Sequence, residues 1–383
     1  MVILIRKVHA KIAFLALSVA FLSLFASEPC LAVNYEHVYD FYVHSENGWE
    51  GHKLYVSLTP SLYDYYGGRI DDSGFAVFVT PDAFRNVAED IWSVCAYKPR
   101  NEEEFANAVL MLVHQIPYCE NPFRYAVVTL SNNMGDCDTL SYLAASIMKA
   151  GGLDVVLLYY EGMGHINVGV YLPYTPIYHD PKANVTYYEY AGKRYYVAEC
   201  TSKKVNLCDD WKVGDCPNDF AGMKPKVISL ENCEKTSPDR ISSHLDSPLK
   251  ASSIELTLST PSLFFGESTT ISGSISPQYP NKQVKIYVSH TGFSWSVLET
   301  LTTDSEGKYS YIWSPLMRGS CNVRASWSGY GEYAGADSDT LYFKVSFSQI
   351  GAVNIASLSY LLITILVAGV VLICVSTYKT LIK

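Results

Sequence analysis

The stretch Asn132-Asn133-Met134-Gly135-Asp136-Cys137-Asp138-Thr139-Leu140 places a cysteine at the mouth of a helix. Asparagine and glycine make the turn. Leu140, Leu143, Ala144, Ile147 and Met148 then recur at the i, i+3, i+4 spacing of one buried helical face. Gly151-Gly152 closes the pattern as a left-handed C-cap would. A thiol is a strong nucleophile when ionised, and the orphan N–H groups and dipole of a helix N-terminus favour the thiolate. Backbone N–H groups there could also bind an oxyanion. Asp136 and Asp138 work against ionisation, because adjacent negative charge disfavours it. The competing reading of Cys137 is a disulfide partner.

Downstream, Glu161-Gly162-Met163-Gly164 reads as a hairpin turn that presents His165 at the start of the strand-like run Ile166 to Leu172. Glu199 alternates with Val197 along Tyr195-Tyr196-Val197-Ala198-Glu199, so the two share a face. A cysteine nucleophile, a histidine base and an acid that orients it are the parts of a hydrolase or acyl-transferase site. His114 and the loop pair His179-Asp180 compete for the second and third roles.

Upstream, Pro81-Asp82-Ala83-Phe84 opens a helical pattern running towards Cys95. Asn101-Glu102-Glu103-Glu104 opens another, whose Phe105, Val109, Leu112 and Val113 form one face and which ends before Pro117. Strand signals lie on both sides, in Val38 to Val43 and Lys53 to Leu58 before, and in Val155 to Tyr160 after. Helices first and strands later predict an α+β domain. Residues 236–253 fade into Ser, Pro, Lys and Asp, a linker by composition. Residues 254–347 alternate as a β-sandwich does, with turns such as Phe265-Gly266-Glu267 and Ser305-Glu306-Gly307.

Three motifs, Gly135-Asp136-Cys137-Asp138, Gly164-His165-Ile166-Asn167-Val168-Gly169-Val170 and Tyr195 to Ser202, together resemble the core of the transglutaminase-like superfamily. The likeness is closest to its bacterial and archaeal cysteine-proteinase-like branch, and Gln115-Ile116-Pro117-Tyr118 and Trp211-Lys212-Val213-Gly214-Asp215 extend it. The resemblance implies a papain/transglutaminase-like α+β domain over 33–235, with Cys137 as nucleophile, His165 as general base and acid, and Glu199 as orienting acid. Gln115 or His114 would then support the oxyanion. Glu199 stands where the family has aspartate, and Cys200 replaces its proline. Residues 254–347 resemble bacterial and archaeal immunoglobulin-like domains through Gly273 to Pro277, Gly307 to Tyr311 and Val323 to Gly329.

Composition bounds the partners. A net charge of −9 excludes the basic face that nucleic acid needs. Thirty tyrosines and 17% charged residues describe a β-rich, aromatic chain. Arg6, Lys7 and Lys11 precede an apolar run ending in Cys30-Leu31-Ala32, so residues 1–32 read as a signal peptide. Residues 355–378 are uncharged and long enough to cross a bilayer, which takes about 20 apolar residues. Lys379 and Lys383 follow, so 379–383 read as a cytoplasmic tail and the chain as a single-pass type I protein of the cell membrane. Asn184-Val185-Thr186 is a glycosylation sequon compatible with an outside location.

Outside the cell, several of the ten cysteines should pair. Cys208 with Cys216, Cys200 with Cys233, and Cys95 with Cys119 are pairings the order allows, though spacing does not fix connectivity. The eight-residue gaps between Cys200, Cys208 and Cys216 are not those of a zinc site. No cofactor is expected. The expected activity is that of a thiol enzyme, a cysteine protease or amidase on a protein or peptide substrate. The alternative is a non-catalytic cell-surface binding or scaffold protein on the same fold.

Overall fold

A computed structural model describes residues 33–347, apart from 70, 72, 97–99, 121–123, 182–183, 203–205 and 221, together with 363, 365 and 366. The chain starts as a hairpin of β1 (Tyr35–Ser45) and β2 (Gly48–Leu58). Its two-residue turn needs Gly48, whose φ is +110°. Alternation buries Tyr39, Phe41 and Val43 on one face and leaves the residues between half-buried. Thr59 then caps α1 (Pro60–Gly67), accepting a hydrogen bond from the Leu62 N–H, with proline in the first turn where its missing donor costs nothing.

Four more helices follow: α2 (Arg85–Cys95), α3 (Asn101–Val113), α4 (Ala126–Asn132) and α5 (Cys137–Ala150). α3 and α5 are buried almost all round, as helices lying between layers must be. Even Glu103 and Glu104 of α3 are enclosed. Glu103 accepts from the Ile177 and Tyr178 N–H groups, and Glu104 from His44. Beyond the helices run β3 (Val155–Tyr160), β4 (His165–Tyr171), β5 (Tyr187–Tyr190), β6 (Lys193–Ala198), β7 (Lys226–Ser229) and β8 (Ser242–Leu245).

Two antiparallel sheets enclose the helical layer. One has the order β1-β2-β8, the other β5-β6-β4-β3-β7. Leu157, Ile166, Val168 and Val170 of the second join the helical core, while Val156, Leu158, Tyr160, Tyr195 and Val197 form a smaller cluster on the opposite face.

The sandwich is built from β9 (Ser253–Ile254), β10 (Thr257–Leu258), β11 (Ser262–Phe264), β12 (Thr269–Ser276), β13 (Gln283–Ser289), β14 (Ser296–Thr302), β15 (Lys308–Trp313), β16 (Gly319–Trp327), β17 (Ala336–Asp337) and β18 (Leu341–Ser346). One sheet runs β10-β12-β15 with β9 on β12; the other runs β11-β18-β16-β13-β14 with β17 on β16. It docks on the first unit through polar groups. Arg324 Nη2 lies 2.6 Å from Asp64, the Ser61 N–H donates to Asp337 (2.7 Å), and Tyr287 and Ser328 hydroxyls both donate to buried Asp239.

Several expectations are corrected. The described chain is mostly β-sheet, with 18 strands in four sheets and five α-helices, so an α+β papain/transglutaminase-like domain with a transmembrane helix is not its fold class. The helical stripes from Pro81 to Gly152 drew the reading towards helix, whereas the aromatic runs on either side build strands that outnumber the helices. Among the described residues no helix is long and apolar enough to cross a membrane. The single-pass type I placement is therefore not retained. The segments behind it, 1–32, 355–378 and 379–383, lie outside the described residues save for 363, 365 and 366. The stretch 236–253 is no loose linker, since it supplies β8 and Asp239. Cys200, Cys208, Cys216 and Cys233 are free thiols, so the suggested Cys208–Cys216 and Cys200–Cys233 disulfides are not formed. Cys95 and Cys200 instead pack as small apolar groups, both fully buried.

α5 is anchored at its far end by Gly151. Trp92 stacks on Phe105 at 4.5 Å and 8° and donates its indole N–H to the Gly151 carbonyl at 2.7 Å. A Cβ on Gly151 would stand 2.3 Å from a Phe105 ring carbon and 2.5 Å from the Trp92 nitrogen. Gly151→Ala is expected to destabilise the protein by about 1–3 kcal/mol through overpacking, read from the urea midpoint at constant slope.

Candidate thiol site

The start of α5 is fixed by a reciprocal cap. The Thr139 N–H donates to Asp136 Oδ1 (3.0 Å), and the Asp136 N–H donates to Thr139 Oγ1 (2.9 Å). This turns the Asp136 carboxylate to the helix backbone. Gly135 is required just before it, because a Cβ there would lie 2.6 Å from Thr139 Oγ1 and 3.0 Å from Thr129. The Gly135 backbone also bonds to Pro117 and Cys119, which holds the loop carrying Tyr118 beside the helix mouth. Cys137 therefore sits at the first helical position, 9% exposed, where its own N–H has no intrahelical acceptor.

The β3–β4 hairpin brings His165 to this point. Tyr160 pairs with His165, and the turn between them needs Gly164 at φ +59°. Cys137 lies close enough to His165 to help raise the imidazole's pKa. Cys137 Sγ also lies 3.8 Å from the Gly164 carbonyl and 3.4 Å from Asp138 Oδ1. His165 Nε2 lies 3.1 Å from Glu199 Oε2 and 2.6 Å from Asn167 Oδ1. The three side chains expected at the site are thus in one chain of contacts. Asn167, the closest polar neighbour of the imidazole, carried no role in the sequence reading. Its place two residues along a strand, on the face shared with His165, was the signal.

Glu199 is 1% exposed and held from below. Its Oε1 accepts from the Thr201 N–H (2.8 Å) and hydroxyl (2.5 Å). Burial alone would raise its pKa, but His165 and Thr201 together hold it below the usual value. For His165, burial alone would lower the pKa, yet the bonds and charges of Cys137 and Glu199 carry it up to about 10. Phe220 stacks on the imidazole at 4.3 Å and 10°, with Tyr160 behind it at 5.2 Å. This ring covers one face of the imidazole. It lies in an irregular segment with no periodicity, so nothing in the sequence singled it out.

The remaining candidates lie elsewhere. Gln115 is committed to β1 and α3: its Nε2 donates to the Asp40 and Met111 carbonyls and its Oε1 accepts from the Asp40 N–H. His114 donates to the backbone carbonyl of Glu199 at 2.9 Å, with Nδ1 3.4 Å from Asp210. Burial lowers its pKa and keeps it neutral, so it supports Glu199 from behind. Both residues are thus placed as structural groups, which leaves the Cys137 N–H, at the first helical position, as the backbone donor beside the sulfur. His179 and Asp180 bond within their own loop and to Asp215. Of the other thiols, burial pushes Cys200 up to about 12 and Cys216 up to about 11.

No family model and no curated protein matches the chain. Solved structures give short, distant likenesses. An engineered protein is 17% identical over 24% of this chain and 20% of its own, at a TM-score of 0.19. A chitin binding domain from Burkholderia pseudomallei is 12% identical over 22% of this chain and 56% of its own, at 0.19. A tetra-tandem repeat from the extending region of a large adhesion protein is 10% identical over 51% of this chain and 41% of its own, at 0.22. The chain spans 20%, 56% and 41% of the length of these structures, and at such TM-scores they carry no argument about fold or function. Nothing in these comparisons supports the label of a membrane-anchored transglutaminase-like cysteine protease. The finding that replaces it is a mostly β chain bearing a Cys-His-Glu cluster.

The shifted pair sets a pH window for stability. His165 stabilises the fold fully below its ordinary value of 6.5, and that contribution is lost as pH rises through about 10. Glu199 contributes above its ordinary value of 4.5 and loses its contribution as pH falls through its lowered folded value. Glu199→Gln should therefore lower the melting temperature most between those two ordinary values and least above pH 10, in melts across that range. Asp138→Asn removes a negative charge 3.4 Å from the sulfur. It should speed alkylation of Cys137 at neutral pH a few-fold, measured by mass spectrometry of the modified peptide.

Proposed function

We propose that the chain is a thiol enzyme acting on peptide or isopeptide amides. The observation that carries this reading is the single imidazole that lies beside Cys137 and is held by a buried, oriented carboxylate. A thiolate–imidazolium pair is the reactive form, and the helix N-terminus and the imidazolium both favour it. The sulfur attacks the amide carbonyl carbon and the carbonyl electrons move to oxygen. The Cys137 N–H at the helix start lies where it can receive that oxyanion. As the tetrahedral species collapses, the C–N bond breaks and His165 gives its proton to the leaving amine. A thioester remains on Cys137. Water or an amine then attacks the thioester carbonyl while neutral His165 takes the incoming proton; collapse breaks the C–S bond, releases the acid or the new amide, and restores the thiolate–imidazolium pair. Glu199 keeps the ring in plane and stabilises its charged form.

Exposed apolar groups flank the cysteine: Tyr118, Met134 and Met163 are 58%, 39% and 50% exposed. They offer a surface on which a peptide could lie beside the sulfur.

The test is selective alkylation of the native protein at about pH 6, where ordinary thiols are protonated and a paired thiolate is not. Iodoacetamide followed by peptide mapping should modify Cys137 ahead of every other cysteine. His165→Ala should slow that labelling at least tenfold. In a screen of peptide and isopeptide amides, turnover should vanish in Cys137→Ser and fall on the order of 100-fold or more in Glu199→Gln. A native Cys137 that is inert throughout the neutral range would instead mark the cluster as a binding or scaffold element.

A further inference from the structure

We propose that Asn167 is a positioning residue for the thiol site, the acceptor that fixes the rotation and the protonated nitrogen of His165 so that its other nitrogen faces Cys137. This rests on the thiol-enzyme reading above. His165 Nε2 carries at most one hydrogen and has two oxygens within reach. The amide oxygen of Asn167 is the nearer, at 2.6 Å against 3.1 Å for Glu199 Oε2.

The two acceptors are held in different ways. Glu199 follows the last residue of β6, and its other oxygen is bound by Thr201. Asn167 lies on β4 itself, two residues beyond His165 on the same face, so the strand backbone sets their separation. β4 is hydrogen-bonded to β3 on one side and β6 on the other. An acceptor built into a central strand does not move when a loop does.

Asn167 is fully buried, and its amide nitrogen has no hydrogen-bond partner. A buried donor without a partner is uncommon in native structures and calls for a reason. Turning the amide over would aim its NH2 group at the Nε2–H, two donors face to face. The amide therefore keeps its oxygen on the imidazole and leaves its nitrogen unsatisfied.

The experiment is the pH dependence of Cys137 alkylation by iodoacetamide in the full chain, from pH 4 to 10. Asn167→Leu keeps the approximate size and removes the acceptor; Asn167→Asp keeps it. Loss of the acceptor should weaken the imidazolium and move the acidic limb of the profile up by about one pH unit, roughly a tenfold slower reaction on that limb. The rate above pH 9 should stay near wild type, because the thiolate forms there without help. Asn167→Asp should keep the low-pH reactivity. A purely structural role would change the rate at all pH values or leave the profile in place. If Asn167→Leu does not fold, as judged by its thermal melt, Asn167→Ala carries the same expectation. A profile in the leucine or alanine variant that superimposes on wild type overturns the proposal, as does an aspartate variant that behaves like leucine. The underlying reading fails separately: wild-type Cys137 is then not preferred at pH 6, or is indifferent to His165→Ala.

Discussion

The capped N-terminus of α5 is the constraint on which the site depends. A cap of this kind stabilises a helix by about 0.5–2 kcal/mol, whereas each large apolar side chain it buries contributes about 1.5–3 kcal/mol. Packing of Leu140, Leu143, Ile147 and Met148 therefore decides that the helix forms and where it lies. The cap decides which residue is first. With Asp136 and Thr139 closing on each other, the sulfur of Cys137 cannot slide a residue along the chain. Ser141 then donates its hydroxyl to the Ile166 carbonyl at 2.8 Å, which ties the helix to the strand carrying His165. That tie is short enough to set the distance between nucleophile and base.

Behind the site lies a group of enclosed polar side chains that a purely structural core would avoid. Glu199, Asp210, Lys212 and His114 are each 9% exposed or less. Their partners account for most of the cost. Lys212 donates to the Leu207 carbonyl, Asp210 accepts from Ser202 and from the Trp211 N–H, and His114 donates to the Glu199 backbone. Breaking one member of a buried set of this sort costs about 3–5 kcal/mol, more than the set is worth against apolar replacements. Such an arrangement makes sense where the direction of one carboxylate matters. Here the direction is that of Glu199 towards His165.

Part of this was legible in the sequence. The turn, the cysteine and the apolar stripe after it are local, and so is the glycine-bounded hairpin before His165. Local patterns survive folding. What failed was non-local. Sheet pairing between β2 and β8 joins residues far apart in sequence, so 236–253 read as linker by composition alone. Cysteine count suggested disulfides, but Cys95, Cys200 and Cys233 are buried in the core as apolar groups. Phe220 reaches the imidazole only because its segment folds back over the outer face of the β5–β7 sheet. Asn167 was hidden in plain view inside an apolar strand, where an asparagine is easily taken as a weak point.

The junction with the sandwich follows the same logic as the site. Asp239 is enclosed between Tyr287 and Ser328, and burial raises its pKa despite those bonds. Asp337 is pushed up to about 6 by burial, although Arg324 and Ser61 oppose this. Enclosed acids with specific partners on the opposite unit give the contact one orientation, because a shift of a few ångströms would leave a carboxylate without its donors. The anchor points are Asp64 of α1 and Ser61 beside it, and α1 packs on α4, the helix that leads into Gly135 and the cap of α5. The contact thus joins the sandwich to α1, which packs on the helix preceding the capped turn.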